Sequence, residues 1–128
     1  MSNPSDVPYS TTILVRDTCL CLHAQRAARA LARRFDDELK PHGLTNGQFS
    51  LLMSLNRPEP PSMGPVAEVL AMDQTTLTAA LKPLERRGLV ERRANPNDRR
   101  SRLLALTEEG RRTLAAAVPV GKRVRADT

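Results

Sequence analysis

The chain has 128 residues, enough for one compact domain but with little room for a second hydrophobic core. It contains two Phe, one Tyr and no Trp, so its core must be aliphatic, and its formal net charge of +6 points to an anionic partner such as nucleic acid. The sequence shows no bilayer-length apolar run, no signal-peptide pattern, no glycine-rich phosphate loop and no catalytic carboxylate pair. We therefore expect a cytoplasmic protein, without a membrane segment or cofactor, that is not an enzyme.

The N-terminal third is predicted to be a flexible arm followed by one long helix. Residues 1–10 carry two prolines and several small polar residues, which is typical of an arm. From about Ser10 or Thr12 to Lys40, apolar residues recur every three or four positions, at Cys21, Ala24, Ala28, Leu31, Phe35 and Leu39. A helix of this length cannot bury its stripe on so small a domain, so part of it should pack against another chain.

The only two cysteines, Cys19 and Cys21, lie within this predicted helix. Two residues apart on a continuous helix, they point about 200° apart, which excludes a disulfide between them. Cys19 and His23 are one turn apart, but core or interface packing explains them better than a metal site. An oxidant sensor at Cys19 or Cys21 is an alternative function, and it would need a thiol with a lowered pKa.

The middle of the chain has the pattern of a helix-turn-helix. Thr45 followed by Gln48 is a capping box that should open one helix. After a proline-rich break, Ser62 is predicted to cap a short second helix and Asp73 a third, with a very short link between them. Two short helices joined in this way are typical of DNA-binding proteins.

The helix that starts at Gln74 has one apolar face, made of Leu77, Leu81 and Leu84. The opposite face is polar or small, with Gln74, Thr75, Thr76, Thr78, Ala79 and Lys82. Pro83 should kink this helix, and Gly88 is well placed to end it in a left-handed conformation.

A basic hairpin should follow. Segments 89–93 and 102–106 read as strands around the turn Asn95-Pro96-Asn97-Asp98. Thr107 should cap a last helix that Pro119 and Gly121 interrupt. The predicted fold class is mainly α with a small β-hairpin wing, a winged helix-turn-helix preceded by a long helix.

This order of elements predicts contacts with both grooves of DNA. Thr75, Thr76 and Thr78 are poor helix formers whose hydroxyls suit phosphate and whose methyls suit thymine, and Gln74 suits adenine. Lys82 should meet phosphate, while Arg99, Arg100 and Arg102 on the hairpin should reach the minor groove. The alternatives without DNA contact are a solvated helix start for the threonines and an ordinary exposed loop for the hairpin arginines. Four further arginines are ambiguous between phosphate contacts and solvation: Arg86, Arg87, Arg92 and Arg93.

Three segments resemble the MarR family of bacterial winged-helix repressors: 72–78 (MDQTTLT), 81–90 (LKPLERRGLV) and 98–110 (DRRSRLLALTEEG). The resemblance implies a homodimer and a double-stranded DNA partner. It implies that Asp98 pairs with Arg100 to shape the wing, and that Arg100 enters the minor groove. It also implies release by a small aromatic or lipophilic ligand.

The resemblance divides the chain into an arm (1–10), a dimerisation helix (11–43), a DNA-binding domain (44–110) and a C-terminal helix (111–128). Gln74 and Ala79 stand where many relatives carry arginine or another polar residue, and the last helix is short for the family. A winged-helix module that binds an acidic protein is the remaining alternative to a DNA-binding regulator.

Overall fold

The computed structural model describes residues 5–126, and side chains as far as Val124. The chain divides into two compact units, residues 1–34 and 35–128. In chain order the elements are α1 (Tyr9–Thr18), α2 (Leu20–Leu39), a 3-10 turn (Lys40–His42), α3 (Asn46–Ser54), α4 (Met63–Val69), α5 (Gln74–Arg86), β1 (Val90–Ala94), β2 (Arg102–Leu106) and α6 (Glu108–Ala126). None of the helices in the described range is long and apolar enough to cross a membrane.

The predicted single N-terminal helix is wrong, because the helix breaks at Cys19. This residue has extended backbone angles, φ −73° and ψ 109°, between α1 and α2. Side chains compensate the break: the Thr18 hydroxyl donates to the Leu14 carbonyl at 2.7 Å, and His23 Nε2 lies 2.8 Å from the Asp17 carbonyl. A hydrophobic period cannot reveal a change in one ψ angle, because the apolar residues keep their spacing on both sides of it.

The predicted arm is shorter than expected. Helix α1 begins at Tyr9, preceded by Pro8, whose carbonyl accepts from the Thr11 amide at 3.0 Å. Residues 1–4 of the predicted arm lie outside the described residues. The prediction of an irregular start therefore applies, within the described chain, to residues 5–8 alone.

The start of the second unit follows the sequence signals closely. The 3-10 turn ends at Gly43, whose φ of 69° favours glycine. The predicted capping box is confirmed: the Gln48 amide donates to Thr45 Oγ1 at 3.2 Å, and the Thr45 amide donates to Gln48 Oε1 at 3.0 Å. Arg87 Nη1 also donates to the Gly43 carbonyl at 2.6 Å, which ties this turn to the end of α5.

The turn between α4 and α5 uses an unusual residue. Ala71 has a φ of 54°, and the Met72 amide donates to the Ala67 carbonyl at 2.9 Å, the pattern of a helix end that normally takes glycine. Asp73 then caps α5 as predicted, since its Oδ1 accepts from the Thr76 amide at 2.7 Å. This left-handed step lets two short helices follow each other with almost no linker.

Ser62 occupies the predicted N-cap position of α4, but its side chain makes no capping hydrogen bond. Its backbone instead forms an isolated bridge with Leu103, and the neighbouring Leu104 amide donates to the Pro61 carbonyl at 2.8 Å. The loop before α4 thereby pairs with β2. The capping prediction was wrong because a nearby strand edge competes for this segment.

The hairpin is antiparallel, with Val90 opposite Leu106 and Ala94 opposite Arg102. Each strand is buried at its base and exposed toward its tip. Gly88, with a φ of 72°, ends α5 as predicted. The Thr107 hydroxyl accepts from the Gly110 amide at 3.0 Å, which confirms its capping role at α6.

The prediction that Pro119 and Gly121 interrupt the last helix is wrong. Helix α6 runs unbroken through both of them. Its buried residues, Leu114, Ala117, Val120 and Val124, keep a spacing of three or four. A Cβ on Gly121 would lie 3.3 Å from the Phe49 ring, so glycine gives α3 and α6 room to approach. Packing of this apolar face outweighs the low helix propensity of the two residues.

One aliphatic core unites the second unit. Leu52, Val66, Leu77, Leu81, Leu84 and Leu104 are fully buried, and they come from α3, α4, α5 and β2. Helix α6 contributes to the same core. The core holds α5 and the hairpin as one body, with their polar faces outward.

Candidate nucleic-acid interface

The first turn of α5 is open to solvent. Gln74, Thr75 and Thr76 are exposed, as is Lys82 two turns later, whereas Leu77 and Leu81 on the inner face have no exposed surface. With 3.6 residues per turn, Thr75, Ala79 and Lys82 share the face opposite the leucines. The predicted polar face of α5 is therefore exposed to solvent, while the opposite face packs against the core.

Thr78 differs from the other threonines. It is half-buried, and its hydroxyl donates to the Gln74 carbonyl at 2.8 Å. The hydroxyl proton is thus already used within the helix. Thr78 can therefore contact a partner only through its methyl group and its oxygen lone pairs, whereas the sequence also predicted a hydroxyl donor.

Asp73 fixes the start of this helix. The backbone N–H of Thr76 donates to its carboxylate, and this bond holds the pKa of Asp73 below its usual value. The ionised side chain also lies where the positive end of the helix dipole favours a negative charge. The N-terminal turn of α5 is therefore ordered without any ligand.

Two consecutive side-chain turns shape the tip of the hairpin. Asn95 Oδ1 accepts from the Asn97 amide at 3.0 Å, and Asp98 Oδ1 accepts from the Arg100 amide at 2.9 Å. Asp98 thus binds the main chain of Arg100 and leaves the guanidinium group outward. The sequence predicted Asp98 as the shaping residue and placed Asn95 in the turn, but it did not reveal the hydrogen bond from the Asn97 amide to Asn95 Oδ1.

Arg99, Arg100 and Arg102 are all exposed on this tip and the first residue of β2. No ion pair involves them within residues 5–126. The structure therefore brings three free cations together at one end of the hairpin.

Three of the four ambiguous arginines have partners inside the protein. Arg92 Nε donates to Glu85 Oε1 at 2.9 Å, Arg93 pairs with Glu91 at 2.7 Å, and Arg87 binds the Gly43 carbonyl. The Arg92–Glu85 pair joins β1 to α5 and so fixes the hairpin relative to the helix. Sequence reasoning missed it because a seven-residue separation across a helix end follows no simple period.

The cysteines are both free; Cys19 is half-buried and Cys21 is exposed. Because Cys19 lies at the break between α1 and α2, the 200° angle expected on a continuous helix does not apply to this pair. Gln25 Nε2 lies 3.8 Å from Cys21 Sγ. The part of the chain that the structure describes holds no group of three His, Cys, Asp or Glu side chains suited to a metal ion.

The MarR family profile matches residues 44–101, from the loop before α3 to the hairpin tip. The transcriptional repressor MprA of Escherichia coli K12 is 35% identical over 92% of this chain and 65% of its own length. The Mycobacterium tuberculosis transcriptional regulator MosR, solved in complex with DNA, is 38% identical over 85% of this chain and 79% of its own, with a TM-score of 0.77. The chain belongs to the MarR family.

A second similar structure is the transcriptional repressor CouR, solved bound to a 23-mer DNA duplex. It is 32% identical over 95% of this chain and 80% of its own, with a TM-score of 0.75. CouR from Rhodococcus jostii has also been solved with p-coumaroyl-CoA. The chain spans less than two thirds of the curated relatives it matches, 65% of MprA and 61% of the Bacillus subtilis regulator YwoH.

Proposed function

We propose that this MarR-family protein is a sequence-specific DNA-binding repressor that acts in the cytoplasm as a homodimer. The observation that carries the proposal is the exposed polar turn of α5 together with three free arginines on the hairpin, which the Arg92–Glu85 pair joins to the same helix. A helix and a hairpin held at a constant separation suit the fixed spacing of two DNA grooves. MprA and CouR, both named repressors, support the direction of regulation.

In this proposal α5 enters the major groove by its first turn. Gln74 bonds adenine through its side-chain amide, and Thr75 and Thr76 bond phosphate or touch thymine methyls. Thr78 contributes its methyl group, because its hydroxyl proton is bound to the Gln74 carbonyl. Lys82 binds phosphate and positions the helix without reading sequence.

The hairpin tip would read the adjacent minor groove. Arg100 inserts into a narrow A·T-rich groove, where negative potential is strongest. Arg99 and Arg102 bind the flanking phosphates. Asp98 has a positioning role, since it holds the main chain at Arg100 so that the guanidinium group faces away from the protein.

The homodimer would use the N-terminal helices. Leu14, Val15 and Leu20 expose 62%, 53% and 82% of their surface, which a second copy would cover. We assign dimerisation to residues 11–43, DNA binding to 44–110 and a supporting helix to 111–128. Two α5 helices about 34 Å apart, one turn of B-DNA, would then bind a pseudo-palindromic site.

A small aromatic or lipophilic ligand would release the DNA by favouring a dimer geometry in which the two α5 helices no longer match successive grooves. The structure of CouR with p-coumaroyl-CoA supports ligand control within the family. A ligand can shift the equilibrium only as far as its affinities for the two geometries differ.

Alanine replacement of Arg100 tests the proposal. Genomic selection would first identify a bound duplex. Arg100→Ala should then lower affinity for it by about 1–3 kcal/mol, or roughly 5- to 150-fold, with an unchanged circular dichroism spectrum. Arg123→Ala, on α6, is the matched control and should bind as the unmodified protein does. Equal affinity of the two variants in a gel-shift titration would exclude the minor-groove role.

Lys82→Ala separates positioning from sequence reading. We expect weaker binding to every duplex and a salt dependence that is shallower by about one unit of log–log slope. A variant that loses preference at a single base pair would instead make Lys82 a direct reader. If the unmodified protein binds no duplex even at low salt, the function as a whole is wrong and an acidic protein partner becomes the better explanation.

A further inference from the structure

A small cavity lies at the base of the hairpin, on the side that faces away from the Arg92–Glu85 pair. Arg92 and Arg93 are neighbours on β1, so their side chains leave opposite faces of the strand. Arg92 reaches α5, while Arg93 lines the cavity. The remaining wall comes from the end of α3, the loop after it, β2 and the start of α6, including Leu55, Asn56, Arg57, Leu106 and Arg111.

The charged residues of this cavity favour a negative charge. Arg57, Arg93 and Arg111 line it together with Asn56, and no Asp or Glu is among its lining residues. No acidic side chain of residues 5–126 forms an ion pair with Arg57 or Arg111. Arg93 pairs with Glu91, which lies outside the lining. Three like charges around one space repel each other, and a bound anion would relieve that repulsion.

The size of the cavity restricts the anion. Its volume is about 110 Å³, roughly that of three or four water molecules and well below the 300 Å³ of a typical drug-sized site. Leu55, Leu106 and two prolines of the loop also line the cavity, whose surface is mostly polar. Guanidinium groups match the two oxygens of a carboxylate or phosphate and form strong, charge-assisted hydrogen bonds with them.

We propose that this cavity binds a compact oxyanion, a phosphate or carboxylate group, between Arg57, Arg93 and Arg111. Two sources have this chemistry: a free ion, or the head group of a larger molecule. If the oxyanion is the head group of a larger molecule, the rest of that molecule has an adjacent groove to occupy. Asn56 and Arg111 also line a neighbouring groove of about 400 Å³, whose other walls are Leu114, Ala115 and Val118.

An anion here would act on the wing through Arg93. Binding draws the Arg93 guanidinium from Glu91 toward the cavity, and Arg93 lies in β1 opposite Leu103, at the arm of the hairpin that leads to its tip. This regulatory step rests on the proposed DNA-binding function, whereas anion binding itself does not.

The test titrates the full chain with inorganic phosphate at constant ionic strength and follows backbone amide shifts by NMR. We expect saturable shifts at Arg57, Leu106 and Arg111 with a dissociation constant on the order of 1 mM. Arg57→Gln with Arg111→Gln should weaken binding at least about tenfold. Arg112→Gln, one residue away and paired with Glu108, is the matched control and should bind like the unmodified protein. Arg57→Lys keeps the charge without the fork geometry, so it remains informative if the double variant does not fold.

Two carboxylates distinguish the sources. Benzoate that binds much more tightly than acetate, and shifts Leu114 and Val118 as well, identifies the head group of a larger molecule. Equal binding of the two identifies a free ion.

Unsaturated, uniform shifts with every anion, or equal binding by the double variant, would overturn the site. If phosphate binds but operator affinity does not change, the link to the wing is wrong and the site stands. If no DNA binds under any condition, the proposed function is what fails.

Discussion

The two units of this protein differ in where their apolar residues go. Every buried hydrophobic residue, from Leu39 to Val124, belongs to the second unit. Among the described residues of the first unit, 5–34, none is buried, and even the hydrophobic side chains of Leu14 and Leu20 are 62% and 82% exposed. The second unit therefore has its own core, whereas the described helices of the first unit leave several apolar side chains exposed.

This difference matters for the proposed function, because DNA reading needs a rigid surface and dimerisation needs an open one. Helix α5 and the hairpin rest on fully buried leucines, so their outward faces keep a fixed geometry. An isolated helix of 10 residues, such as α1, is marginally stable in water. Most of the stability of the first unit should therefore come from association with a second copy.

The largest expected effect is on the core of the second unit. Leu52→Ala removes a side chain with no exposed surface and should lower the free energy of unfolding by about 2–5 kcal/mol. Met53→Ala, the next residue of α3 and 42% exposed, should cost less than about 1 kcal/mol. Urea denaturation of both variants measures the contrast. Similar losses would mean that α3 does not pack as described.

The next prediction tests whether a second copy covers the exposed apolar residues of the first unit. Leu31→Asp places a charge on the apolar stripe of α2, where Leu31 is 39% exposed. We expect the dimer dissociation constant to rise at least about tenfold, or 1.4 kcal/mol, in sedimentation equilibrium. Arg33→Ala, on the opposite face of the same helix, is the control and should leave it unchanged. If Leu31→Asp also leaves association unchanged, another surface forms the dimer.

A smaller effect concerns the turn between α4 and α5 in the second unit. Ala71→Gly relieves a left-handed φ of 54° and should raise stability by about 0.5–1 kcal/mol. Gly88→Ala is the converse, since Gly88 has a φ of 72° and open space around its Cα, and it should lower stability by a similar amount. Thermal unfolding of both variants measures whether each change raises or lowers the stability. Two changes of the same sign would contradict the described turn.

The smallest effect is on pH dependence. The Thr76 amide lowers the pKa of Asp73 in the folded state, so its stabilising contribution is complete above the unfolded pKa of about 3.9. That contribution disappears as the pH falls through the lower folded pKa. Asp73→Asn keeps a capping oxygen without titrating and should lose less stability between about pH 7 and pH 3. Parallel urea midpoints for both proteins would exclude the effect.

Local sequence signals predicted the structure correctly at four positions where a short-range hydrogen bond or a glycine decides it. The capping box of Thr45 and Gln48, the caps at Asp73 and Thr107, and the left-handed end at Gly88 are all as predicted. Each depends on residues at most four positions apart, so neighbouring residues contain the whole cause. The exposed face of α5 and the arginines of the hairpin tip follow from the same short-range periods.

Predictions failed where distant packing or one backbone angle decides. Pro119 and Gly121 are poor helix residues, but the apolar face of α6 packs in the core and α3 needs the space at Gly121. Ser62 is a good cap, but the edge of β2 binds its backbone. The break at Cys19 leaves the apolar spacing intact, so no period could show it.

The sequence by itself determined the order of the elements, most of their caps and the outward face of α5, because these depend on near neighbours and on hydrophobic spacing. Only the tertiary structure decided how Arg92 joins the hairpin to α5, why α6 continues through proline, and which arginines remain free at the tip. It also placed Arg57, Arg93 and Arg111 around one cavity. The cavity alone joins residues up to 54 positions apart along the printed sequence, since the core, and not chain proximity, brings them together.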